Sequence, residues 1–99
     1  MCEHHASADG YLPSPLLLAS AVAARTEHLA LSLILILPFY DPVRLAEDMA
    51  VLDILSGGRA SFILALGYRS EEYEIFGLEL GDRGRLADEN LGSQLFARY

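Results

Sequence analysis

Three adjacent residues near the amino terminus, Glu3-His4-His5, form the densest cluster of ionisable side chains in the chain. An imidazole, with an unperturbed pKa of about 6.5, can both give and take a proton near neutrality. One use of such a triplet is therefore a proton-transfer loop, provided the fold sets a cofactor or substrate beside it. A second use, metal binding, is opposed by the spacing. Neighbours on extended backbone point to opposite sides, and the chain has no HExxH or CxxC pattern. A small metal-dependent hydrolase would rest on these three residues alone. A third reading is a solvated terminal loop. Elsewhere, Asp53 stands among Leu52, Ile54 and Leu55, where an acid needs a partner. Arg59, just past the following turn, is the candidate, in a structural rather than catalytic pair.

The elements that must position these residues centre on His28 to Leu66. Leu29–Leu37 (LALSLILIL) is apolar at every position but one. A strand apolar on both sides predicts cover on both faces, as in a parallel sheet or closed barrel. Asp41-Pro42 opens a helix over 42–55, with Asp as cap and Pro in the first turn, and Ser56-Gly57-Gly58 ends it. Leu45, Met49 and Leu52 make its apolar stripe, leaving Arg44, Glu47 and Asp48 for water. A second strand follows over Ser61–Leu66. Strand, helix, strand at this spacing is a right-handed βαβ crossover.

Before this unit, residues 1–12 read as a loop holding the turn formers Ser7, Asp9 and Gly10. If a strand precedes Glu3, the chain contains almost none of it. Ser14-Pro15 then opens a helix running through 16–26, with Leu17, Ala21, Ala24 and Leu18, Val22 at helical spacing. Arg25 sits in its last turn, where a cation suits the macrodipole. After the second strand, Ser70-Glu71-Glu72 opens a short helix through Phe76, 77–84 is a loop, and 85–98 is a final helix interrupted by Gly92.

The chain has 99 residues, 53% of them hydrophobic, which is much apolar surface for one short domain to hide. It suggests part of a larger domain, or a chain that associates with itself. A formal charge of −7 with no lysine argues against a phosphate-backbone partner. The lone Cys2 cannot form an intramolecular disulfide, and no signal peptide is visible. Leu29–Leu37 is too short to cross a bilayer, which takes about 20 apolar residues. These features lead to a cytoplasmic protein, without nucleic-acid or membrane partners.

Four motifs, in order and at matching separations, carry a resemblance over nearly the whole chain. They are Glu3-His4-His5 with Ser7-Ala8-Asp9-Gly10-Tyr11 and Pro13-Ser14-Pro15; Leu37-Pro38 with Asp41-Pro42-Val43-Arg44-Leu45-Ala46-Glu47-Asp48; Leu52-Asp53 with Ser56-Gly57-Gly58-Arg59; and Gly67-Tyr68-Arg69 with Glu72-Tyr73 and Phe76-Gly77. Together they resemble the luciferase-like flavin-dependent oxidoreductases and monooxygenases. That resemblance implies an α/β fold, a partial (β/α)8 TIM barrel from the tip of the second barrel strand to the helices after the fourth. Residues 1–99 would be a fragment of one barrel domain.

Barrel sites lie at the carboxyl ends of the strands. The resemblance implies that Glu3 and His4 face the ring of FMN or the deazaflavin F420, with His4 the catalytic, proton-transferring residue and His5 structural. It also implies a flavin site backed by Leu33 and Ile34, joined by a non-prolyl cis peptide, and by Ala65. Two departures stand out: Ile63 and Ala65 replace glycines common in the fourth strand, and Leu66 replaces a basic residue for the flavin phosphate. The implied function is an oxidoreductase using reduced flavin with O2, or hydride transfer, on a small organic substrate. The other reading is a non-catalytic barrel fragment that is stable only through self-association, most simply as a homo-oligomer. The substrate is not legible.

Overall fold

The computed structural model describes residues 1–96, with the side chains described through residue 92. The chain runs α1 (Pro15–Arg25), β1 (Leu31–Ile36), a 3-10 turn (Leu37–Phe39), α2 (Pro42–Ser56), β2 (Ala60–Ala65), α3 (Ser70–Ile75), a second 3-10 turn (Leu80–Asp82) and α4 (Arg83–Phe96). Residues 97 and 98 of the predicted last helix lie outside the described residues. The described part of α4 begins two residues early and continues through Gly92.

The strands β1 and β2 pair in parallel, in register from Leu31 opposite Ala60 to Ile36 opposite Ala65. The crossover between them starts and stops where its sequence says. Asp41 accepts the Val43 and Arg44 amides at 3.0 Å each, satisfying two donors the first turn would leave open. At the other end Gly57 adopts a left-handed conformation (φ 65°, ψ 38°), which a side chain disfavours and glycine does not.

The amino terminus adds a rung on the other edge of β1. Met1 donates its ammonium to the Ser32 carbonyl at 2.6 Å, and its carbonyl accepts the Ile34 amide at 2.7 Å. Cys2 forms a parallel bridge with Ile34. The first residues thus form an isolated rung, and β1 lies between it and β2.

Alternation decides which face is covered. Leu31, Leu33 and Leu35 are buried, and pack with Ala19 and Ala23 of α1 and Leu45 and Leu52 of α2. Phe62 and Leu64 join them from β2. On the opposite face Ser32 is exposed and Ile63 is 54% exposed. Among the described residues the expected cover on both sides is met only in part: helices cover one face, and on the other Ile36 is buried and Ile34 half-buried toward the carboxyl end, in a slab 40 × 37 × 15 Å. The continuous apolar run of residues 29–37 is also shorter as a strand, because Pro38 turns its end into the 3-10 segment and Leu29 stays exposed.

Two packing expectations need correction. In α1 the buried face is Pro15, Ala19 and Ala23, whereas Leu17, Ala21 and Ala24 face solvent. Apolar residues run almost all round this helix, so spacing alone does not select the side that meets β1. The α2 stripe of Leu45, Met49 and Leu52 does face the core. Asp53 is exposed and needs no buried partner, and Arg59 pairs with no carboxylate in the structure described. Its guanidinium instead donates to the carbonyls of Ala23, Thr26, Leu29 and Ser56 and to the Thr26 hydroxyl, at 2.6–3.0 Å. A cation there complements the carbonyl ends of both α1 and α2. Among the described residues no helix is long and apolar enough to cross a membrane.

Candidate active site

The isolated rung at Cys2 sets the next three residues toward the carboxyl end of β1, and alternation divides them. Glu3 and His5 turn inward on one side, and His4 turns to the other. The segment is closed behind them by the His4 amide donating to the Leu12 carbonyl at 3.0 Å. Beyond it, Asp9 accepts the Ser7 hydroxyl and, at 3.2 Å, the Tyr11 amide. The Ser7 bond holds the Asp9 carboxyl below its ordinary range.

Glu3 is buried, 3% exposed. One carboxylate oxygen accepts the Ile36 amide at 2.9 Å and the Tyr40 hydroxyl at 2.8 Å; the other meets His5 Nε2 at 2.5 Å. The Ile34 amide is met by the Met1 carbonyl, so this side chain takes over where the backbone rung gives out. Burial, and then the neighbouring Glu3 charge, push the Tyr40 phenol well above its ordinary pKa. His5 is held edge-on by Phe39 and Phe76, which stack on each other at 4.4 Å.

On the other side, His4 lines a cavity of about 470 Å³ at the carboxyl ends of β1 and β2. Its floor and walls come from Ile34, Ile36, Ala65, Leu66, Gly67 and Tyr68, with Arg83 at one side. Tyr11 and Tyr68 meet the imidazole edge to face at 5.0 and 5.8 Å. Nδ1 lies 3.1 Å from a carboxylate oxygen of Glu72, and Nε2 has no hydrogen-bond partner among the described residues. The strand leaves the cavity through Gly67, at φ 76°, where a Cβ would stand 3.2 Å from Ile36 Cγ2. Arg83 donates to the Gly67 carbonyl at 2.8 Å and Tyr73 to that of Leu66, so the rim is held from α3 and α4.

Of the residues proposed from sequence, the structure brings Glu3, His4, Ile34 and Ala65 to this cavity. It does not bring Leu33, whose side chain is fully buried in the helix-facing core; the one-residue alternation that puts Ile34 in the cavity puts Leu33 behind it. The peptide joining Leu33 to Ile34 is trans, which removes the expected cis bond. The Glu3 carboxylate is turned toward Ile36, Tyr40 and His5. His4 and His5 occupy opposite sides, and among the described residues no group of three potential ligands stands together to hold a metal ion.

Sequence reasoning missed Glu72, Tyr68 and Arg83. Glu72 reads as a helix-opening acid; in α3 it is buried with Tyr73 while Ser70, Glu71, Glu74 and Ile75 are exposed, and no local signal separates it from Glu71.

Two parallel strands joined through a helix, with an imidazole and an apolar cavity at their carboxyl ends, make a βαβ unit of the kind from which α/β barrels are built. The family model for luciferase-like monooxygenases matches residues 1–93, and the chain belongs to that family. It is 38% identical over 73 residues to the oxygenase component of a flavin-dependent trigonelline monooxygenase from Acinetobacter baylyi, covering 73% of this chain and 20% of the relative. The crystal structure of monooxygenase RslO1 from Streptomyces bottropensis superposes with a TM-score of 0.85 at 28% identity, covering 94% of this chain and 29% of that one. The oxygenating constituent of 3,6-diketocamphane monooxygenase from Pseudomonas putida, solved in complex with FMN, superposes with a TM-score of 0.87 at 22% identity, covering 94% and 26%. Both neighbours are monooxygenases, and they share with this chain its α/β fold, that of a partial TIM barrel. The chain spans about a quarter of the length of the curated relatives it matches.

Proposed function

We propose that residues 1–99 are the part of a flavin-dependent oxidoreductase barrel that supplies its proton-transferring base and one wall of its flavin site, the substrate being a small organic molecule. The observation that carries this reading is the His4 imidazole, with Nε2 unpartnered, over an apolar floor at the carboxyl ends of two parallel strands. The residues fit a flavin. Ile34 and Ala65 offer apolar contact to a planar ring, Ala65 is small enough to leave the cavity open, and Arg83 is the cation that an anionic tail would meet. FMN is the flavin favoured, since one of the structural neighbours is solved with it; F420 is the other candidate.

When bound, a reduced flavin supplies the electrons, for O2 or as hydride, that no side chain here can supply. The protein's own residues do the rest. His4 Nε2 takes up and returns a proton beside the ring. Ile34, Ile36 and Leu66 exclude water from that side, and Glu3 holds the strand end that carries His4.

FMN and F420 titrations, read by flavin fluorescence, test the reading with the protein and with Ala65→Phe, which fills the cavity. Saturable binding of FMN, weakened at least tenfold by Ala65→Phe, is expected. Binding unaffected by that substitution would place the flavin elsewhere and refute the proposal. Tighter binding of F420 would change the cofactor and leave the site. A second reading is favoured by Ile63 and Tyr68, 54% and 69% exposed on and beside the uncovered sheet face: a non-catalytic homo-oligomer that covers this face with a second copy. It predicts no saturable flavin binding, and a mass above 10.8 kDa that falls on dilution.

A further inference from the structure

Glu72 is 0% exposed, yet lies far in sequence from the segment it touches. One carboxylate oxygen collects every contact: the His5 amide, His4 Nδ1 at 3.1 Å and the Arg69 guanidinium at 3.5 Å. The other oxygen is buried without a hydrogen-bond partner. The His5 N–H and the guanidinium are donors that cannot change role. They favour an acceptor at that oxygen, and an ionised carboxylate can only accept. The nitrogen facing it must then be the one that carries a hydrogen. In a neutral imidazole this leaves the lone pair on the other nitrogen.

We infer that Glu72 is the positioning residue of His4: it holds the imidazole in its Nδ1–H tautomer, so that Nε2 is the atom that takes and returns a proton at the cavity. This rests on the reading of His4 as the proton-transferring residue. The proton balance is simple. Nδ1 keeps its hydrogen throughout, Nε2 gains one from a donor in the cavity and gives it back, and the carboxylate faces the imidazolium while it lasts. Orientation is over-determined, because Tyr11 and Tyr68 bracket the ring edge to face and the His4 amide is tied to Leu12. A ring flip would set a C–H against the carboxylate and forfeit the bond. Were Glu72 there only to satisfy the His5 amide and Arg69, the tautomer of His4 would be indifferent to it.

Long-range 1H–15N correlation spectra of the protein, recorded about two pH units above the ordinary imidazole value, read the tautomer directly, with the His4 signals assigned from their loss in His4→Ala. The expected result is a predominantly Nδ1–H imidazole at His4. Glu72→Gln retains it, because an amide oxygen still accepts, and Glu72→Leu converts it to predominantly Nε2–H. An Nε2–H ring at His4 in the unaltered protein would overturn the inference, and so would a Glu72→Leu variant that keeps Nδ1–H. If Glu72→Leu does not fold, the unaltered protein and Glu72→Gln still decide. The spectra need no flavin, so an unexpected tautomer and a failed flavin titration are separate outcomes.

Discussion

Replacing Glu3 with alanine tests the idea that this residue is the anchor of the site rather than a group presented to the cavity. The substitution leaves the Ile36 amide and the Tyr40 hydroxyl without an acceptor, both in or against the core, and frees the His5 ring. An unsatisfied buried donor costs about 1–3 kcal/mol. Two of them, with the loosened imidazole, predict a loss of roughly 3–5 kcal/mol, a large part of the stability of a chain this long. Glu3→Gln keeps an oxygen for Ile36 and Tyr40, and its amide can donate to His5, so about 1 kcal/mol is expected. Tyr40→Phe removes one partner alone. Urea unfolding followed by circular dichroism gives each free energy, and the Glu3→Gln, Tyr40→Phe and double variants complete a cycle that does not depend on the most damaged protein. The reasoning is refuted if Glu3→Ala lies within about 0.5 kcal/mol of the unaltered protein, the range of ordinary surface substitutions. It is equally refuted if Glu3→Gln proves as damaging as Glu3→Ala.

Two further predictions use the same assay. Arg59→Ala should destabilise by about 2–4 kcal/mol, since five oxygens at the ends of α1 and α2 lose a charged donor; Arg59→Lys should recover less than half, because a point charge cannot reach acceptors set around a planar fork. Gly67→Ala should cost about 1–2 kcal/mol from the left-handed backbone and from the Cβ pressed against Ile36, and should weaken flavin binding more than an equally destabilising substitution in α1.

What could be read from sequence follows a physical division between local and distant causes. The helix α2 was legible because its start, its end and its stripe are all set by residues within it: Asp41 and Pro42, Gly57, and Leu45 to Leu52. The parallel pairing was legible because a strand-helix-strand spacing permits little else. The pairing of Arg59 was not, because helix carbonyl ends leave no mark in a sequence and an acid in the neighbourhood does. The side chosen by α1 was hidden by its own apolarity. His4, Ile34 and Ala65 are singled out only by the resemblance, together with the rule that barrel chemistry sits at strand ends, and the structure sets the three along one cavity. Leu33 was misplaced because a pair of neighbours in a strand cannot both face one way. Glu72 needed the tertiary structure, since no local pattern links a residue in α3 to a loop before α1.

The contact between Glu72 and the His5 amide spans 67 positions of the chain. Closing so long a loop costs somewhat more entropy than closing a hairpin or a βαβ turn, and that cost must be met before the contact rewards it. A molecule in which β1, α2 and β2 have already packed, while α3 is still undocked, has its core and most of its secondary structure but an imidazole without its mooring. Amide exchange at His5 would therefore report on an opening smaller than global unfolding. Any ligand that requires the moored imidazole discriminates a finished molecule from one that has merely collapsed.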